Sequence, residues 1–590
     1  MTLGKVAGLK GLRPHAAAIR GRLVGEFSRA SGLIDWFLII AAFSAVAASY
    51  IVYMVRLPEF LTSDMAAEIL TGREILKQKT LLLRDWYFST EIFLVRTSLF
   101  IALWGLVTDS WLNAYRLAAA TDVALICAAF AYMAKRLGAS PKATAFGLLV
   151  FFGIRGYYNG QNTGLGGSSY GTLCATTFLI LGYYAASRLR TLKRPDRILR
   201  WAIPVLAFLF GVSSMRFLAV VLIPLLAVHL AWKVWSRLPS GWTHDSLLRE
   251  ILLWNALCLG GWIITARLVM PQGFGPADYS TPYANGLVYI WRQNLPELLI
   301  ELFHYNQFYT AIEPFRLSSL NGINGVLSIA FFMACGWLLF STAKPYLATR
   351  RAVFLFFGIS LAAAILSLFL FQPRINLRIR YLFIIYATMA CATASGWPEF
   401  RRRSPIAARL YLLLAALLCV TNGVWNVRNI PNITHDSATR IAVRHVPETE
   451  ESFKRHGISR GYALFWDSAV QAVLTDGRIE VHPLGGSLKP FRYLAPYSVF
   501  AKARSGEPTA FVRTRVELPP DLAALPVFNL TGGDVLESAY DMDVIPDPEA
   551  DMEIYYFDHN PFTYPADHDP REDFAKERRE RETLTESPSQ

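Results

Sequence analysis

The segment RLPEFLTSDMAAEILTGREILKQKTLLLRDWYFSTEIFLVR, residues 56–96, decides how the rest of the chain is read. It follows directly on an apolar run, Ile34–Val55, which at about 20 residues is long enough to stay in a membrane as a helix. The segment therefore starts at a membrane surface, yet it is too charged to cross one. Thr62 and Ser63 are helix-start residues. A helix from about residue 63 puts Asp64, Glu68 and Thr71 on one face. Met65, Ile69 and Leu76 fall on another side, against lipid or neighbouring spans. A second acidic pair, Asp85 and Glu91, flanks the aromatic run Trp86, Tyr87, Phe88. Carboxylates set among aromatics just outside a membrane suit a general base or a hold on a divalent cation.

Composition extends this reading to the whole chain. Of 590 residues, 53% are hydrophobic and only 17% charged, with a mean hydropathy of +0.31. That is too apolar for a soluble domain and implies many membrane spans. The net charge of +13 sits in short segments between apolar runs. This is the pattern of membrane topology, not of nucleic-acid binding. The six cysteines (127, 174, 258, 335, 391 and 419) all lie in apolar stretches, without disulfide or zinc spacing, and read as core residues. There is no P-loop and no GxGxxG after a strand, which argues against an ATP-driven pump or a cytoplasmic nucleotide-sugar enzyme.

Charge bias sets the expected topology. Residues 1–33 form a basic cytoplasmic tail, and 34–424 form a membrane domain of about eleven helical spans whose first outer loop is 56–112. Residues 97–107 are too short to cross and read as an interfacial helix. The segments 143–154 and 201–213 read as short crossings. The run RLRTLKRPDRILR, 188–200, is the strongest inside marker. Residues 425–565 change character, with strand-like runs at 461–466 and 478–484, and read as a small extracytoplasmic α/β or α+β domain. The charged tail 566–590 reads as disordered. The fold class expected is thus an all-α polytopic membrane protein carrying a small mixed domain at its C-terminus. The location expected is a bacterial-type inner membrane.

Each candidate residue carries two readings. Asp64 suits removal of an acceptor proton, and it equally suits a helix start, where the dipole favours a carboxylate. Glu68 and Asp85 would complete a cation site with Asp64, or be a solvated residue and a partner of Arg84 or Arg96. The loop 153–169 holds Tyr157, Asn159 and Gln161, residue types that suit sugar rings and hydroxyls and are also ordinary in an outer loop. Arg374, Arg378 and Arg380 stand in an outer loop, 372–381, against the usual charge bias, and ask for an anionic partner. Arg216 is a weaker candidate of the same kind, and Glu91 a candidate substrate contact.

An acidic residue opening an amphipathic helix right after the first span resembles the GT-C superfamily of integral-membrane glycosyltransferases. There the matching aspartate is the catalytic base or sits beside it. The pair Arg380–Tyr381 resembles an Arg-Tyr pair of several members, whose arginine meets the phosphate of a polyprenyl-linked donor. The resemblance implies transfer of a sugar from a polyprenyl-phosphate donor to an extracytoplasmic lipid, glycan or protein. Asp64 would be the base, and Arg380, helped by Arg374 and Arg378, would hold the phosphate. Met65 stands where some members have a second acidic residue, so the need for Mg or Mn stays open. The partners implied are a polyprenyl-phosphate-linked sugar and membrane lipids, with no nucleic acid. A transporter or flippase of lipid-linked glycans and a non-catalytic scaffold are the alternatives, although no internal repeat favours the former.

Overall fold

The computed structural model describes residues 12–88, 92, 94–153, 170–235, 245–269, 320–342, 348–371, 383–429, 437–485, 487–491, 495–501, 504–515, 533–548, 550–565 and 568. Helix α1 (Leu12–Val55) carries the first apolar run at its C-terminal end. Then come α2 (Ser63–Gln78), the short strand β1 (Trp86–Tyr87) and α3 (Thr97–Trp104). The helical bundle continues with α4 (Trp111–Arg136), α5 (Pro141–Gly153), α6 (Gly171–Arg188) and α7 (Arg194–Ser213). Helix α8 (Ile223–Trp235) is entered through a π-turn, and α9 (Ser246–Ile264) ends in one. Among the described residues four more helices follow: α10 (Leu320–Thr342), α11 (Ala348–Phe371), α12 (Phe383–Arg403) and α13 (Pro405–Asn429).

Among the described residues, four helical stretches are long and apolar enough to cross a membrane: Gly32–Val55, Trp111–Arg136, Ser246–Val269 and Pro405–Val424. Shorter apolar helices lie at Pro141–Gly153, Leu218–Val234, Gly322–Cys335 and Arg351–Ala363. The segment expected at the interface, 97–107, forms α3, which at about 1.5 Å per residue is far too short to span. The expected crossing at 143–154 overlaps α5 as far as Gly153, with residue 154 outside the described residues, and that at 201–213 falls within α7.

The bundle is held by close backbone approach and by a few buried charges. Where α7 crosses α9, a Cβ on Gly211 would lie 1.9 Å from the Cys258 carbonyl oxygen. Only glycine permits that crossing, the small-residue packing expected where lipid offers no hydrophobic drive. Asp35, fully buried in α1, lies 2.9 Å from Arg401 of α12 and 3.9 Å from Lys142 of α5. Lys142 also donates to the Gly32 carbonyl at 3.0 Å. One carboxylate thus ties three helices together. A similar knot forms at Asp196 of α7, which accepts from Arg136 at 2.7 Å and from the Tyr132 hydroxyl, both on α4.

The C-terminal domain is built differently. Helices α14 (Ser437–Arg444), α15 (Val446–Arg455) and α16 (Phe465–Leu474) accompany strands β2 (Arg460–Leu464), β3 (Glu480–Leu484), β5 (Thr509–Thr514), β6 (Asp541–Ile545) and β7 (Met552–Phe557). The five strands form one sheet in the order β3-β2-β5-β7-β6. The β2 strand is parallel to β3 and β5, whereas β7 is antiparallel to β5 and β6. The short strand β4 (Ala495–Pro496) leaves this sheet and pairs antiparallel with β1 of the first loop. Asp467, buried at the start of α16, accepts from the Thr514 hydroxyl at 3.1 Å and fastens that helix to β5.

The Asp35 cluster yields a stability prediction. Asp35→Ala leaves two cations without their counter-charge in a largely buried setting, which costs roughly 3 kcal/mol. Thermal unfolding in detergent should move down by several degrees. Glu399→Gln, which touches the exposed Arg402 and Arg403, should cost less than about 1 kcal/mol. Equal shifts for the two variants would show that the Asp35 cluster does no more than a surface pair.

Candidate active site

Helix α2 begins where local chemistry says it should. Thr62 is extended, and its hydroxyl accepts the Met65 N–H at 3.3 Å. The helix stops at Lys79, which adopts a left-handed conformation with φ +52°. Its surroundings are less local. The apolar residues Met65, Ala66, Ile69 and Ile75 join one core with Ile101 of α3, Tyr115 and Ala118 of α4, and Ala469, Val470 and Val473 of α16. A Cβ on Gly72 would lie 2.6 Å from Ile101 Cγ2, so α2 sits hard against α3. The helix is enclosed on both flanks, where one polar face had been expected.

Within this sandwich Asp64 is half-buried and, among the described residues, has no hydrogen-bond or ion-pair partner. Glu68, one turn on, is 1% exposed, and among the described residues its oxygens meet no hydrogen-bond donor beyond a weak contact with the Ser98 backbone. Burial pushes the Glu68 carboxyl up to about 8. Arg96 opposes that shift, the charges of Asp122 and Asp64 add to it, and the Ser98 backbone acts only weakly. The solvated carboxylate read from the sequence at position 68 is therefore a buried acid.

Asp122 and Arg96 complete the cluster. Asp122 stands within α4, fully buried, and accepts from the Thr97 hydroxyl at 2.7 Å. Thr97 is the first residue of α3, directly after Arg96, which is itself 9% exposed. The Thr172 hydroxyl of α6 donates to the Val95 carbonyl at 2.7 Å. At Gly171 a Cβ would lie 2.8 Å from Asp122 Cγ, so the start of α6 also rests on this carboxylate. The Tyr115 hydroxyl is buried nearby and has no hydrogen-bond partner among the described residues. Sequence reasoning passed over Asp122, and the available signal was a lone acid inside an apolar helix.

The other candidates divide into three groups. Arg216 lies just before α8, donates to the Tyr170 hydroxyl and stacks over that ring at 5.3 Å. Its neighbourhood joins the first loop, because the Ile92 N–H donates to the Ser213 carbonyl at 3.2 Å. Asp85 goes elsewhere. Its carboxylate accepts the Ser498 N–H at 2.8 Å, and its carbonyl accepts the Tyr497 N–H at 3.0 Å. Partial burial raises its pKa, against the pull of Ser498. Glu91, Tyr157, Asn159, Gln161, Arg374, Arg378 and Arg380 lie outside the described residues. Among the described residues no three Asp, Glu, His or Cys side chains gather as metal ligands would. Asp64 and Glu68 share a helix, but Asp85 is engaged by the C-terminal domain, so the trio expected for Mg or Mn is not assembled.

The C-terminal domain grips the first loop at two points. One is the β1–β4 pairing, with the Tyr87 and Tyr564 hydroxyls 3.1 Å apart beside it. The other is the far end of α2. There Arg73 lies 3.7 Å from Glu480, and a Cβ on Gly477 would be 2.5 Å from the Arg73 guanidinium. The Trp111 N–H, at the start of α4, donates to Asp476 at 3.2 Å.

No family model and no curated protein sequence matches the chain. Solved structures similar to it include the following three. The apo structure of ArnT from Cupriavidus metallidurans aligns at TM-score 0.52 and 12% identity, covering 89% of this chain and 98% of its own. ArnT from the same organism bound to undecaprenyl phosphate gives 0.49 and 14%, covering 89% and 99%. The archaeal oligosaccharyltransferase AglB from Archaeoglobus fulgidus, in complex with an inhibitory peptide and a dolichol-phosphate, gives 0.41 and 9%, covering 89% and 75%. The last two are too distant to carry an argument. The first shows the fold, which this chain shares with that ArnT structure.

The buried acid gives a pH prediction. A carboxyl whose folded pKa is raised costs stability as pH climbs from its ordinary value, 4.5, through its folded value of about 8. Glu68→Gln removes that cost. Between about pH 5 and about pH 9 the melting temperature of the wild type should fall more steeply than that of the variant. Parallel curves would mean that Glu68 is not carried as a neutral acid.

Proposed function

We propose that this chain, built on the GT-C fold, is a membrane glycosyltransferase. It moves a sugar from a polyprenyl-phosphate donor to a hydroxyl or amine acceptor on the extracytoplasmic side. The observation that carries the reading is Asp64: a half-buried carboxylate without a partner among the described residues, at the start of the enclosed first-loop helix. The proposed setting is a multi-pass protein of a bacterial-type inner membrane, with its N-terminus cytoplasmic and its C-terminal domain outside. The ArnT whose apo form shares the fold has also been solved with undecaprenyl phosphate, and that class of ligand is the donor carrier proposed here.

In the proposed reaction the acceptor oxygen or nitrogen attacks the anomeric carbon and gives its proton to Asp64. The bond from the anomeric carbon to the phosphate oxygen breaks, and the electron pair leaves with the polyprenyl phosphate. Arg216 meets the charge that develops on that phosphate, a task for which a planar guanidinium is suited. Arg380, Arg378 and Arg374 are proposed to share it. Glu68 and Arg96 shape the floor beneath Asp64 without touching the sugar. The reading needs no step through a metal.

The test is transfer from a panel of undecaprenyl-phosphate sugars to a membrane glycan fraction. Asp64→Asn should lower the turnover by about a hundredfold or more while the protein stays inserted and folded. Arg216→Gln should act mainly on the donor KM. Undiminished transfer by Asp64→Asn removes Asp64 from the mechanism and leaves the fold without its proposed base.

A further inference from the structure

The turn from α6 into α7 carries a set of charges of which the bundle uses only some. Residues 188–200 hold Arg188, Arg190, Lys193, Arg194, Arg197 and Arg200, with one acid, Asp196. Several charges here have structural work. Asp196 is taken by Arg136 and Tyr132. Arg188 donates to the Tyr184 hydroxyl at 2.8 Å and lies over the Trp232 ring at 4.3 Å. Arg200 pairs with Glu250 at 2.8 Å. Arg190, Arg194 and Arg197 are exposed and, among the described residues, their guanidinium groups have no ion-pair or hydrogen-bond partner.

These arginines stand at the head of an apolar strip. On α7, Arg194 lies one turn before Ile198, and Arg197 one turn before Trp201. Ile198, Trp201 and Val205 are 68%, 78% and 59% exposed and share one helix face. The opposite face buries Ile203, Ala207 and Phe210 in the bundle, where α7 packs on α9. One outward face thus runs from guanidinium groups to an indole to aliphatic side chains. Its length from residue 194 to residue 205 is about 16 Å at 1.5 Å per residue. Topology accounts for the number of basic residues in this segment. It does not account for two guanidinium groups, Arg194 and Arg197, that are unpaired among the described residues and in line with an exposed apolar strip, with a third, Arg190, in the turn just before. Nor does stability, because cations at the start of a helix meet the positive end of its dipole.

We infer that this face is a binding site for an anionic phospholipid. The lipid phosphate sits among Arg190, Arg194 and Arg197, and an acyl chain lies along Trp201, Ile198 and Val205. Guanidinium groups match phosphate oxygens in pairs, and indole rings favour the depth of lipid headgroups. The inference does not depend on the proposed sugar transfer.

The test uses the purified full chain, delipidated and offered an equal mixture of phosphatidylglycerol and phosphatidylcholine, with retained lipid read by native mass spectrometry. The wild type should retain phosphatidylglycerol selectively. The triple variant Arg190→Gln, Arg194→Gln, Arg197→Gln should lose about a hundredfold in that retention, at about fivefold for each arginine. Trp201→Ala should lower retention of both lipids without changing the preference. Melting in a zwitterionic detergent checks that the variants stay folded. If the triple variant does not, Arg197→Gln alone makes the same comparison at about fivefold. Wild-type selectivity in a folded variant overturns the proposal. So does complete displacement of the lipid by inorganic phosphate, which would make this a site for the free ion.

Discussion

Helix α2 is pressed between two partners of different character, and much of the site follows from that. On one flank α3 and α4 belong to the apolar bundle. On the other, α16 comes from the mixed domain nearly 400 residues further along the chain. A helix with only one apolar stripe would leave its polar side to water. This one is closed on both sides, so any carboxylate beyond its first turn loses its hydration. Glu68 meets that fate, and Asp64 escapes it by standing in the first turn. The difference between the two acids is a difference of one helical turn.

The enclosure is maintained by contacts that reach across the whole chain. The β1–β4 pairing, the Asp85–Ser498 bond and the Arg73–Gly477 packing are all links between the first loop and the C-terminal domain. The Asp122–Thr97 bond fixes the start of α3 from below. Because interiors are close-packed, a shift at any of these contacts would be felt by its neighbours. A functional carboxylate gains its position from such support, since a side chain held by a rigid surround loses little in reaching a reactive geometry.

Buried charge is used sparingly and in two manners. Asp35 and Asp196 are each met by cations, and they knit helices at one end of the bundle. The cluster of Glu68, Asp122 and Arg96 brings two acids near one cation, an arrangement that serves stability poorly unless a proton is held. The first manner is what a scaffold requires. The second is the kind of electrostatic imbalance that collects at functional sites.

Read alone, the sequence determined that the chain is a bundle of apolar helices, that α2 opens near residue 63, and that Asp64 stands at its head. These are local matters: runs of apolar residues and a threonine cap act within a few residues. It also marked out two strand-like runs, which the structure forms as β2 and β3. Only the tertiary structure decided that Glu68 is buried, that Asp85 belongs to a domain contact, and that Asp122 joins the first loop through Thr97. Burial and partnership depend on which distant elements meet, and no local pattern around positions 68, 85 or 122 specifies its neighbour.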